Sequence, residues 1–74
     1  MRKSLAEAVA EEIRALMGRK RVRNVEIARG MEVSEPYISR RLSGEVALDL
    51  NDLEHIARIL DVQVTDLFPA QVAA

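Results

Sequence analysis

The 74-residue chain has no cysteine and no tryptophan, and only one tyrosine, one phenylalanine, three glycines and two prolines. Without cysteine there is neither a disulfide nor a thiolate metal site, which fits a reducing, cytoplasmic setting. Histidine occurs once, as His55, so no pair of imidazoles can share a metal. Its helical spacing turns it outward, where a lone histidine is a surface residue. No convergent acid–base pair, glycine-rich phosphate loop or metal-ligand spacing accompanies it, so the sequence points away from an enzyme and implies no cofactor, metal or small-molecule ligand. Arg2 and Lys3 look like the start of a signal peptide, but Glu7, Glu11 and Glu12 interrupt any apolar run behind them. No stretch approaches the roughly 20 apolar residues that span a bilayer, so a membrane is not an expected partner. Strand-like alternation and internal repeats are also missing, and the expected class is all-α.

The length suits one domain, residues 1–74, with a core over 4–68 and a frayed tail over 69–74. Chains this short bury only about 60% of their unfolded surface, so stability is expected to be modest. Net charge is −1, which on its own argues against a nucleic-acid partner. Its distribution argues the other way. Residues 1–44 carry ten Lys/Arg against six Asp/Glu, net +4, whereas residues 45–74 carry one against six, net −5. A basic half and an acidic half suit one face towards phosphate and another away from it; ordinary surface charge that happens to segregate is the competing explanation.

Ser4 opens the first helix, and Glu7 three residues on completes a capping box. Leu5, Val9, Ile13 and Met17 recur every four residues, with Ala8 and Leu16 beside them, and the helix is expected to end near Gly18. Glu7, Glu11, Glu12 and Arg14 take its wet side. Arg19, Lys20, Arg21 and Arg23 follow as a basic connector around Val22. Such a connector either contacts a DNA backbone, which positions a protein without reading sequence, or is a solvated loop.

The chain is organised around residues 24–44, NVEIARGMEVSEPYISRRLSG. Ile27, Ala28 and Met31 place one apolar face on a helix from Asn24 to about Met31. Ile38 and Leu42 do the same for a helix from about Glu35 to Leu42, with Val33 between the two. Ser34 can cap the second of these, and Pro36 falls in its first turn, where a missing N–H costs nothing. Gly44 is placed to stop it. Two short helices joined this tightly match a helix-turn-helix, whose second helix can enter a DNA major groove. Glu35, Pro36, Ser39 and Arg40 share a face apart from Ile38 and Leu42, Tyr37 sits at its border, and Ser43 lies further along. An arginine on such a face can bond bidentately to guanine, and a glutamate can accept from cytosine or simply suit the helix N-terminus. After the loop around Val46–Leu48, Asp49 caps a fourth helix with Asp52 in its first turn and Leu50, Leu53, Ile56, Ala57 and Leu60 on its apolar face. Val62, Val64, Leu67 and Phe68 close the domain in one further short turn of helix before Pro69.

Residues 5–68 resemble the Cro/repressor, or XRE, helix-turn-helix family: Asn24 to Ala28, then Val33-Ser34, then Ile38-Ser39-Arg40 and Gly44, followed by Leu50, Leu53, Ile56-Ala57, Leu60 and Val62. The resemblance implies a compact five-helix, lambda-repressor-like domain. It also implies a sequence-specific regulator of transcription, phage-repressor-like, that binds double-stranded DNA as a repressor with helix 35–42 in the major groove. Glu35, Pro36, Ser39 and Arg40 would then read bases, and Arg21, Arg23, Asn24, Ser34, Tyr37, Arg41 and Ser43 would meet the backbone. Members commonly bind as two-fold dimers, often through the last helix. Val64, Leu67 and Phe68 would stand at that homodimer contact, core packing being the alternative for all three.

The chain departs from the family at Glu32 and Asp61, where turn glycines are usual, and at Arg41, where an apolar residue is usual. Glu32 and Asp61 are expected to hold a left-handed backbone at a cost of about 1 kcal/mol each, or to relax it. The Arg41 stem is expected to run along the core with its head reaching out to phosphate. Glu32, Glu35 and the weak net charge keep a second function class open, a protein-interaction module of phage or antitoxin type on a helix-turn-helix scaffold that no longer binds DNA.

Overall fold

The computed structural model describes residues 3–70. Its elements in chain order are α1 (Leu5–Lys20), α2 (Asn24–Met31), α3 (Glu35–Leu42), α4 (Leu50–Leu60) and a 3-10 turn (Val64–Leu67). The all-α class holds, with no strand among the described residues, but the expected fifth helix is only the four-residue 3-10 turn. Of the tail expected to fray, residues 71–74 lie outside the described residues.

Each helix start is set by a local device. The Ser4 hydroxyl accepts from Glu7 N–H at 3.1 Å and the Glu7 carboxylate accepts from Ser4 N–H at 3.0 Å, the reciprocal capping box of α1. Ser34 caps α3 by accepting from Tyr37 N–H at 3.2 Å, with Pro36 in the first turn. Asp49 and Asp52 form the same box at α4, at 2.7 and 3.1 Å. At α2, Glu26 reaches back to Arg23 N–H at 2.9 Å without a side-chain cap in return.

Three helix ends share a second device. Arg21, Glu32 and Asp61 all adopt the left-handed conformation, with φ of 57°, 58° and 57°. In each case the next residue is a valine whose N–H bonds back into the helix: Val22 to Met17 O at 2.9 Å, Val33 to Ala28 O at 3.0 Å, Val62 to Ala57 O at 3.0 Å. This is the Schellman arrangement, in which an apolar residue past the end packs down on the helix, and all three valines pack against the core. Of the two alternatives for Glu32 and Asp61, the left-handed one is present, and Arg21 adds a third case. Helix α1 therefore runs past Gly18 to Lys20, which makes Arg19 and Lys20 helical rather than connector residues. A solvent-facing glycine lowers helix propensity without ending a helix that tertiary contacts support.

The core is centred on Ile13, Ile27, Ile38, Ile56, Leu60 and Leu67, all fully buried, one or more from every element. Gly30 lets α2 approach α4 closely, since a Cβ there would stand 2.6 Å from Ile59 Cδ1. Two residues expected on apolar helix faces stay outside: Leu5 is 50% and Leu50 is 82% exposed, because each occupies a first helical turn that overhangs the core. Leu67 is wholly buried, which removes it from any surface contact and leaves Val64, 40% exposed, and the half-buried Phe68.

Candidate nucleic-acid interface

Helix α3 is held to the rest of the domain by Ile38 and Leu42, both in the core. Period 3.6 then turns Glu35, Pro36, Ser39 and Arg40 away from it, and all four are exposed. Beside this face stands the N-terminus of α2. Asn24 Nδ2 lies 3.4 Å from Ser39 Oγ, a long, exposed hydrogen bond between the start of α2 and the outer face of α3. The connector residues Arg21 and Arg23, both exposed, immediately precede Asn24 in the chain. Arg23 is 3.6 Å from Glu26, an exposed ion pair of the kind that contributes little and exchanges readily.

The hydroxyl-bearing candidates differ in what they have left to offer. Ser34 and Ser39 accept, from Tyr37 N–H and the Asn24 amide, and keep their O–H donors. Ser43 is used in both senses: it donates to Arg40 O at 2.9 Å and accepts from Glu45 N–H at 3.3 Å, which closes the end of α3 before Gly44 turns with φ of 87°. A second residue, Arg14 of α1, secures that end by donating from Nη1 to Leu42 O. Sequence spacing put Arg14 on the wet side of α1, and it is exposed there. Its reach to a helix terminus 28 residues away had no sequence signal.

Tyr37 and Arg41 are placed differently from the expectation. The Arg41 guanidinium lies over the Tyr37 ring, 3.5 Å from its centroid, and turns inward to Asp52, with Nε 3.3 Å from Oδ2. Nη1 donates back to Tyr37 O at 3.3 Å. Tyr37 in turn donates its hydroxyl to Asp52 Oδ1 at 2.9 Å. The head of Arg41 does not reach out along the surface, because a buried carboxylate at the start of α4 is the stronger attraction in a low-dielectric setting. Asp52, buried at the start of α4, is the residue that gathers this cluster. The sequence shows it only as a first-turn acid of α4, although the Tyr37–Arg41 spacing of four sets one half of this cluster on a common face. The hydrogen bond to Asp52, with burial and the nearby negative charge, pushes the Tyr37 phenol above its ordinary pKa of 10.0.

Elsewhere an apolar cleft of about 210 Å³ opens between Leu5 and Val9 of α1, Leu50 and Leu53 of α4, and Phe68. No group of three or more acidic, histidine or cysteine residues able to hold a metal occurs among the described residues. Nor is any helix there long and apolar enough to cross a membrane.

A family model described as the Cro/C1-type HTH DNA-binding domain matches residues 12–71. The crystal structure of the clp gene regulator ClgR from C. glutamicum superposes with a TM-score of 0.84 at 26% sequence identity, over 89% of this chain and 86% of that one. No curated protein matches the chain.

Proposed function

The chain belongs to the Cro/C1-type helix-turn-helix DNA-binding family, and from that premise we propose that it is a sequence-specific regulator of transcription, acting as a repressor, that lays α3 in the major groove of double-stranded DNA. The observation that carries the reading is the contact between Asn24 and Ser39. It joins the exposed face of α3 to the N-terminus of α2 and its basic connector, so base-facing and phosphate-facing groups form one surface. On this reading Arg40 bonds a guanine edge, Ser39 and Glu35 bond neighbouring bases, and Pro36 touches a thymine methyl. Arg21, Arg23, Asn24 and Ser34 meet phosphates and set the register. Ser43 joins them only by giving up its bond to Arg40 O. The reading is of a binding protein and not of an enzyme.

Two copies on paired half-sites would meet through the apolar surface of Val64, Phe68 and the cleft that Leu5 and Leu50 border. Support comes from the exposure of Leu50, Leu5 and Val64, which is costly in water and relieved by a second copy. Glu35, exposed on the α3 face itself, favours the alternative of a protein-interaction module, since a carboxylate repels phosphate.

Selection from random double-stranded DNA at two salt concentrations tests the proposal. An enriched palindrome supports a dimeric sequence-specific regulator, and an enriched single half-site supports a monomeric reader. No enrichment, with negligible binding even at low salt, replaces the DNA reading by the protein-interaction one.

A further inference from the structure

We propose that Asp52 masks Arg41 from DNA, so that of the two adjacent arginines of α3 only Arg40 is offered to a duplex and sequence-independent binding is kept down. The inference rests on the DNA-binding reading above. Arg41 follows Arg40 at the end of α3, where a solvated guanidinium would neutralise a phosphate whatever the base sequence. Instead its side chain is only 20% exposed and faces the 5%-exposed Asp52 carboxylate.

The two partners are held unequally. Asp52 is tied from three sides: Oδ1 accepts the Tyr37 hydroxyl, Oδ2 accepts Asp49 N–H, and the residue sits in the first turn of α4. Arg41 is held by the Tyr37 ring, a long bond to Tyr37 O and proximity to Asp52, while its buried Nε has no hydrogen bond. The carboxylate is therefore the fixed member and the guanidinium the releasable one. Neutralising Asp52 removes the charge that draws Arg41 inward and leaves a flexible cation next to the α3 face.

Binding of a fixed-length duplex of unrelated sequence, followed across salt, tests this. Asp52→Asn keeps an oxygen for Asp49 N–H and loses the charge. It is expected to bind the duplex more tightly at low salt and to lose about 3.5-fold more affinity than wild type between about 50 and 200 mM salt, the effect of one added phosphate contact. The double variant Arg41→Gln/Asp52→Asn is expected to return to the wild-type salt slope, and Glu12→Gln, with the same change in net charge, to keep it. A wild-type slope in folded Asp52→Asn, or a gain that survives in the double variant, overturns the masking. An independent arm needs no change at Asp52: Arg41→Gln is expected to leave the slope as it is while Arg21→Gln, at a phosphate-facing position, lowers it by about one, and a fall in Arg41→Gln overturns the proposal. Wild-type protein that binds no DNA at any salt overturns the DNA-binding reading, and the masking with it.

Discussion

Glu32 holds, at φ of 58°, a backbone conformation that strains any side chain with a Cβ. It is exposed and its carboxylate has no partner among the described hydrogen bonds and ion pairs, so the side chain itself offsets none of the strain. Glu32→Gly is expected to stabilise the domain by up to about 1 kcal/mol, which at this size raises the melting temperature by about 4–8 °C per kcal/mol. A fall in calorimetry would show that the carboxylate contributes something the backbone does not reveal. Tyr37 allows a test of the buried cluster from the other side. As the only tyrosine, it gives an unambiguous phenolate absorbance. Its folded pKa is raised above 10.0, so its contribution to stability is present below that pH and lost as the pH rises through the folded value. Alkaline titration of native protein is expected to show a midpoint above 10.0 that moves down towards it in Asp52→Asn. Coincident midpoints would mean that the hydroxyl bond to Asp52 does not persist in solution.

At the scale of elements, the proposed function divides the work of a reader between α3 and the connector. The helix presents side chains at fixed spacing, while the connector presents charge. Arg40→Ala is expected to cost about 1–3 kcal/mol of discrimination between the preferred and a substituted site, read from competition binding. Unchanged discrimination would remove Arg40 from the base-facing group. Arg21→Ala is expected to weaken all duplexes alike and flatten the salt slope by about one, with no change in site preference. The same residue also ends α1 in a left-handed turn that alanine suits no better, so its loss should leave helix content unchanged by circular dichroism. The helix ends repeat one solution three times, a left-handed residue followed by a core-bound valine. The valine returns by burial part of what the left-handed turn costs. That explains how arginine, glutamate and aspartate can each stand where glycine would be easier.

At the scale of the molecule, ten of the eleven basic residues fall in the first 44 positions, while the twelve acidic ones divide equally, six before and six after that point. The basic segment supplies α1, α2, α3 and the connector between α1 and α2, so the net negative charge is carried after residue 44, with Glu35 the carboxylate that stands on the α3 face itself. The apolar residues left outside, Leu5, Leu50 and Val64, are the candidates for a contact between copies. Leu50→Lys tests this cleanly. At 82% exposure Leu50 contributes little to the core, so the melting temperature at low concentration should hold. Sedimentation is expected to show a dimer shifted to monomer, because a lysine brought into an apolar contact must be desolvated. A wild-type chain that sediments as a monomer at all concentrations would remove the dimer.

Local chemistry alone was enough to place α2, α3 and α4 in the sequence: caps at Ser34 and Asp49, the Pro36 first turn, and apolar residues at helical spacing. The exposed face of α3 follows from the same period, since fixing Ile38 and Leu42 inward turns Ser39 and Arg40 outward. Three features needed the tertiary structure. Gly18 reads as a stop only until Val22 is seen packing on the core and carrying α1 onward. Leu50 reads as core until it is seen to open α4, in a first turn that overhangs the core. Arg41 reads as a surface cation because nothing nearby in sequence opposes it; Asp52 does so from 11 residues away, across a helix junction. Periodicity and capping are set by residues within four positions of one another, and a sequence displays them directly. Which charge faces which is set by how whole helices dock, and this is decided only when the core closes.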